Sequence, residues 1–379
     1  MLKRYNKILI IMVLPLLLTS CWDYRDVNRR SINLAVGVDD VDGELEFTGE
    51  IAKLTPTSSQ SKSMVQITDV YKYRSKGEYF EGSRNDYDSK LTFPGFLGAI
   101  RVIMFSKNYA EKSIESYINR SYFTVGLRSS SLTAVCKEST NELFSSRIQN
   151  DISIGYAIED TVRQLDQVGL TVYKTVQEIQ SDIALGNIGY VLPYVTRENN
   201  STIKYLGFAV MKDSKLISII DYKHSKGFLY LMAKKTTLER AVPHPQNEKN
   251  LVSLRPVLIK RTINTKFEDN KINIYINLNL ETQLQYEYNI EPLNRNDMKK
   301  LEDELSKITK EDVMYAINRS QNEMKCDVFG FARYFRAEHP VEYKKINWKE
   351  EYPKANIHVN VKTTIKNTSV LNPNGKKPD

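Results

Sequence analysis

Residues 32–38 alternate apolar and polar positions, and residues 45–51 alternate again beyond the turn-forming stretch 39–43, which predicts a β-hairpin. Residues 100–105 and 132–136 are short apolar runs of strand length. Between them, Tyr109, Ile114, Tyr117 and Ile118 suit one amphipathic helix over 108–119. Ile158, Val162, Leu165 and Val168 recur at helical spacing with Gly169 placed as a stop. A further helix is expected over 172–183, then a strand over 190–195. Residues 205–211 and 216–220 flank Lys212-Asp213-Ser214-Lys215 as a second hairpin. Ile272, Ile274, Ile276, Leu278 and Leu280 line one face of a strand, and Ile357, Val359, Val361, Thr363 and Ile365 line another. Met298, Leu301, Leu305 and Ile308 mark a charged helix capped by Asn296 or Asp297 and continued by Val313, Ala316 and Ile317.

Strands mixed with helices, without regular βαβ alternation, predict a multidomain α+β fold with largely antiparallel sheets. Polar, turn-prone stretches punctuate it: 55–63 as a loop, 196–202 as a linker, and the Pro243, Pro245 region to residue 250 as a second boundary. The expected division is an N-terminal α+β domain over 21–197, a small middle domain over 198–250 and a C-terminal α+β domain over 251–367. A disordered tail is expected over 368–379.

The N-terminus follows different rules. Lys3, Arg4 and Lys7 precede an apolar run over 8–18, which at 11 residues is too short for the roughly 20 needed to span a bilayer. Leu18-Thr19-Ser20-Cys21 then reads as a lipobox, so residues 1–20 are expected to be a signal peptide that is removed. Cys21 would become an N-acyl (palmitate-type), S-diacylglycerol cysteine, because a thiolate attacks a lipid donor efficiently. Two acyl chains anchor stably at about 0.8 kcal/mol per buried methylene, where one would not.

Composition narrows the function. Forty-one per cent hydrophobic residues suffice for packed cores, and a formal charge of +8 without clustering excludes a nucleic-acid footprint. Cys136 and Cys326, the remaining cysteines, are expected as two separate buried thiols, although outside the cytoplasm they could pair. No Gly-x-Gly-x-x-Gly, P-loop or Gly-x-Ser-x-Gly motif is present, and His224, His244, His339 and His358 have no metal-ligand spacing. His244 reads as loop and His358 as an exposed bystander. Glu302, Asp303 and Glu304 read as a solvated helix face. No catalytic residue, cofactor or metal site is expected, so the chain reads as a non-enzyme. The 23 tyrosines are numerous, and Tyr71, Tyr73, Arg74, Tyr79 and Phe80 could form a contact surface or simply an aromatic strand.

These features together resemble the Ger(x)C lipoproteins, the C subunits of spore germinant receptors. Cys21-Trp22-Asp23-Tyr24-Arg25-Asp26-Val27-Asn28 matches the family's opening Cys-Trp-Asp-x-Arg-Glu-Ile-Asn. Residues 32–39 resemble its next segment, residues 206–216 the start of its C-terminal region, and Asp327-Val328-Phe329-Gly330-Phe331 with Pro340 and Trp348 its late signature. Ala332 replaces a usual glycine, Tyr343 an expected tryptophan, and residues 95–100 lack a usual histidine. The resemblance implies a three-domain α+β lipoprotein on the outer surface of the spore inner membrane. It further implies a complex with integral-membrane A and B subunits that responds to small nutrients and triggers germination. A solute-binding lipoprotein of a nutrient importer is the alternative, and would need two α/β lobes around a ligand cleft.

Overall fold

A computed structural model describes residues 29–56, 65–145, 147–148, 151–199 and 202–368. The expected signal peptide, Cys21, residues 57–63 of the polar loop and the tail beyond Thr368 lie outside the described residues.

Strands β1 (Ser31–Val41), β2 (Glu44–Pro56) and β3 (Val65–Gly77) form an antiparallel meander. Its first turn places Asp42 and Gly43 at φ 57° and 84°, the geometry whose twist suits a two-residue hairpin. Helix α1 (Phe80–Ser89) and the short β4 (Gly95–Phe96) lead to β5 (Val102–Ser106), which runs parallel to β1. Helices α2 (Lys107–Lys112) and α3 (Glu115–Phe123) carry the chain to β6 (Leu132–Cys136). Then α4 (Thr140–Ser145), α5 (Ile154–Gln167) and α6 (Val176–Leu185) carry it to β7 (Tyr190–Glu198). β8 (Thr202–Lys212) and β9 (Lys215–Asp221) return antiparallel, giving the order β3-β2-β1-β5-β6-β7-β8-β9 with β4 beside β1.

The flanks of this sheet are the antiparallel hairpins that period-two patterning finds, but its centre is parallel. Every residue of β5 and β6 is buried, so neither shows alternation; strands covered on both faces read as plain apolar runs. Local capping moves the helix boundaries. The single helix expected over 108–119 is two, broken at Ser113, with the Ser106 hydroxyl accepting from the Tyr109 amide. α6 starts at Val176 rather than 172 because Thr175 and Glu178 form a reciprocal capping box.

The second sheet begins after α7 (Lys226–Met232). β10 (Arg240–His244), β11 (Asn247–Glu268) and β12 (Lys271–Glu287) are antiparallel neighbours. Helices α8 (Arg295–Asn318) and α9 (Phe331–Glu338) intervene before β13 (Asn356–Thr368) adds parallel to β12. The face from Ile272 to Leu280 is buried as its alternation requires. α8 lies against β13, where Glu302 accepts from the Ile365 amide at 2.8 Å and Ser306 from the Thr363 amide at 3.0 Å. The helix cap is Asn294, three residues before Asp297, which closes a capping box with it; Asn296 is not the cap.

The stretch 196–202, expected as a linker, falls within the antiparallel pair β7–β8, with Glu198 paired to Thr202. The prolines at 243 and 245 lie at the β10–β11 turn. Residues 198–250 thus supply β8 and β9 to the larger sheet and β10 to the smaller. One hydrophobic core joins the sheets: Val191, Phe208, Val210 and Ile220 of the larger pack with Phe228, Ile274, Ile276, Val313 and Phe331. Within it α7 rests directly on α8, and a Cβ on Gly227 would lie 1.9 Å from the Asp312 carbonyl oxygen. Gly227→Ala should therefore separate the two helices and cost about 1–3 kcal/mol, read as a lower urea midpoint with unchanged slope.

Candidate functional site

Two of the segments that carry the sequence resemblance, residues 206–216 and 327–348, meet where the two sheets join. α8 ends in a π-turn at Arg319–Glu323, and Lys325 takes φ 47°, reversing the chain into Cys326 and Asp327. The Asp327 side chain is fully enclosed and accepts four hydrogen bonds. Oδ1 receives the Phe329 and Phe331 amides at 3.2 and 3.1 Å; Oδ2 receives the Ala332 amide at 2.8 Å and the Trp348 indole N–H at 3.1 Å. The cap residue of α9 is Gly330 at φ 72°, which has no side chain to offer, so a carboxylate three residues earlier satisfies the helix's first amides. Burial raises the Asp327 carboxyl to about 6, against the pull of those donors toward the charged form.

Trp348 is held by this bond and packs against Phe335 and Tyr352, with ring centroids 5.4 and 6.1 Å away. Tyr352 exchanges a 2.7 Å hydrogen bond with Ser320. On its other side, the Asp327 carbonyl accepts from the Gly189 amide at 3.0 Å, just before β7. Only glycine fits there: a Cβ would stand 2.4 Å from Cys326 Sγ and 2.6 Å from the Met211 carbonyl. Burial pushes the Cys326 thiol up to about 12. Lys349 reaches Asp213 in the β8–β9 turn at 2.5 Å, and Asn187 donates to the Tyr343 hydroxyl at 3.0 Å. The tyrosine that departs from the family pattern thus bonds across the junction.

Asp182 of α6 sits beside this assembly, buried and ion-paired with Lys174 at 2.5 Å and with Arg333 of α9. These groups line a cleft of about 510 Å³ that also exposes Tyr173, Arg261 and Phe329. Near it, burial pushes the Glu159 carboxyl up, but hydrogen bonds from Tyr173, Arg163 and Arg101 outweigh this and hold it below the usual range. The charges that converge are largely committed to one another. They lock helices and strands in place and present no activated nucleophile.

The residues singled out by sequence are scattered. Cys21 lies outside the described residues. His224 is exposed and bonded to Asp221, and His358 is exposed and stacked on Tyr275 at 4.8 Å. His339 lies 3.2 Å from the Thr265 carbonyl. His244 is not a loop bystander: it is buried at the end of β10, accepts from the Gln246 amide at 3.2 Å and lies 3.4 Å from Glu291. Of the α8 carboxylates, Glu302 bonds to β13, Asp303 pairs with Lys299 and Glu304 is half-buried. Tyr73 packs on Tyr87, and Phe80 on Phe47 and Tyr117, so these are core; Tyr71 and Tyr79 are exposed. Cys136 and Cys326 are free and buried in different hydrophobic clusters. Among the described residues no three His, Cys, Asp or Glu side chains are placed to hold a metal ion. Asp327 as a hub, and Asp182 with its two cations, were not foreseen. The available signal was an aspartate three residues before the glycine that caps a helix.

Comparison with known proteins agrees with this arrangement. Residues 23–197 match the model of the spore germination protein N-terminal domain, and residues 206–369 that of the spore germination B3/GerAC-like C-terminal domain. Spore germination protein A3 of Bacillus subtilis (strain 168) is 23% identical over 366 residues, 91% of this chain and 93% of that protein. Spore germination protein YndF of the same organism is 25% identical over 172 residues, 44% of this chain and 42% of that protein. The crystal structure of the GerBC protein has the same fold at a TM-score of 0.55 and 16% identity, covering 88% of this chain and 97% of that one.

Asp327→Ala would strand three amides and an indole N–H in the core, and should cost about 3–5 kcal/mol in urea unfolding. The pH dependence has a definite sign. With its carboxyl raised from 3.8 to about 6, Asp327 favours folding most when neutral, so its contribution is complete below pH 3.8 and lost as pH rises through 6. Asp327→Asn removes that dependence. Measured from pH 4 to pH 7, the stability of Asp327→Asn relative to the parent chain should rise by up to about 3 kcal/mol.

Proposed function

The chain belongs to the spore germination B3/GerAC-like family, and from that premise we propose that it is a lipid-anchored, non-enzymatic C subunit of a nutrient germinant receptor complex. The observation that carries the reading is that its family motifs at 206–216 and 327–348 are spent on a buried junction between two sheets, not on reactive groups. A protein built this way acts through its surfaces. Its partners on this reading are the integral-membrane A and B subunits, and its place is the outer surface of the spore inner membrane. Cys21, as the acylated cysteine, holds it there.

Confinement supplies the mechanism. A tether to the plane that holds the partners turns docking into a local event at high effective concentration, so modest interfaces suffice. The alternative, a solute-binding lipoprotein of an importer, draws support from the cleft between the sheets. It requires two lobes that open and close, whereas here both sheets share one hydrophobic core.

Cys21→Ala is the decisive variant. The protein should leave the spore membrane fraction, and nutrient-triggered germination should fall to the level of a deletion strain. Full germination with the unanchored protein would remove anchoring from its role. Unchanged membrane retention would remove Cys21 as the anchor.

A further inference from the structure

We propose that the surface formed by Phe93, Phe96, Phe123 and Val125 is a lipid-contacting face that lays the protein against an anionic bilayer beside its tether. The inference rests on the reading of Cys21 as the anchor. Phe123 is 86% exposed and Val125 93%, with Phe93 and Phe96 at 41% and 39%. They do not stand singly, as exposed apolar residues on a monomer ordinarily do, but rim one groove of about 940 Å³.

The path of the chain places this face at the membrane. Arg30 lines the same groove, and the next residue, Ser31, is bonded to it from both ends: its amide donates to the Pro94 carbonyl at 3.0 Å and its hydroxyl to the Phe93 carbonyl at 2.8 Å. β1 then pairs with β4, Ile32 opposite Phe96. The chain therefore enters the fold through the apolar rim. Arg29 lies eight residue steps beyond Cys21, and even fully extended at about 3.5 Å each these reach less than roughly 30 Å. A linker this short keeps the fold close to a bilayer that holds Cys21 and allows Phe93 and Phe123 to reach it.

The chemistry suits a headgroup layer. Arg30, Arg84 and Arg120 surround the groove against Glu81 and Asp88, and Asp88 is ion-paired with Arg84 at 3.4 Å. Arginines around a ring of phenylalanines match anionic phosphates over an acyl boundary. Acyl chains on one cysteine retain the protein but leave its orientation free; an apolar face beside the entry point fixes it.

The test uses the full lipidated chain in vesicles of phosphatidylglycerol and phosphatidylcholine in equal parts. Val125→Cys carries an environment-sensitive fluorophore, with Asn270→Cys, in the β11–β12 turn, as the comparison site. Cys136 and Cys326 are buried and do not compete for label. The label at 125 should shift to the blue and be quenched by nitroxide lipids, while the label at 270 should stay open to aqueous iodide. If the chain sediments with the vesicles but both labels are equally wet, the tether stands and the lipid face is overturned. If the lipidated chain does not sediment, the anchor reading fails and takes this inference with it. Protection at 125 only when membrane-protein partners are added would assign the face to a protein, and would overturn it as well. A second measurement does not depend on the tether: in the Cys21→Ala chain, Phe123→Asp with Val125→Asp should weaken partition onto the same vesicles about tenfold or more. Unchanged partition would overturn the proposal.

Discussion

The architecture hangs on one buried carboxylate. Asp327 collects the first amides of α9 and the indole of Trp348, while its backbone carbonyl takes the amide of Gly189 from the other sheet. None of these donors has water to fall back on, because the residues around them are closed over by the shared core. A buried donor left without an acceptor costs about 1–3 kcal/mol, so the four donors and the acid stand or fall together. The same requirement explains the neighbours. Gly330 must take a positive φ so that α9 can start directly above the carboxylate, and Gly189 must lack a Cβ so that the strand can come close enough to donate.

This hub gives a physical meaning to the motifs that link the chain to its family. Residues 206–216 form β8, the turn and the start of β9; residues 327–331 form the hub; Trp348 and Lys349 close over it and pair with the β8–β9 turn. These two segments join a large sheet to a small one. They supply buried and junctional positions, which tolerate little change in volume or polarity. On the proposed reading, partner choice would lie on the surfaces outside this junction.

Legibility in the sequence follows from how many faces an element buries. β12 buries one face, so Ile272, Ile274, Ile276, Leu278 and Leu280 announce it, and α8 is announced by Leu301, Leu305 and Ile308 for the same reason. β5 and β6 bury both faces, so their parallel pairing at the centre of the sheet left no alternation to read. The 196–202 stretch looked like a linker because the polar ends of two paired strands and a polar linker have the same composition. Caps were legible to within a few residues: Asn294 was missed for Asn296 or Asp297, although Asp297 does take part. The site was the least legible part. Asp327 and Asp182 are single acids in sequence, and only the fold brings Trp348, Gly189, Lys174 and Arg333 to them.

Such a rigid junction limits how the protein could transmit a signal. With both sheets fixed on one core, opening the cleft beside Asp182 would expose Phe208, Phe228 and Phe331 together, at roughly 1.5–3 kcal/mol for each large apolar side chain. A small nutrient binding there would have to supply that energy in full to move the halves apart. Rigid-body motion of the whole protein relative to its surroundings is far less costly, because it breaks none of these contacts. On the proposed reading, a subunit of this construction is suited to hold partners in register, as a strut with one attached end.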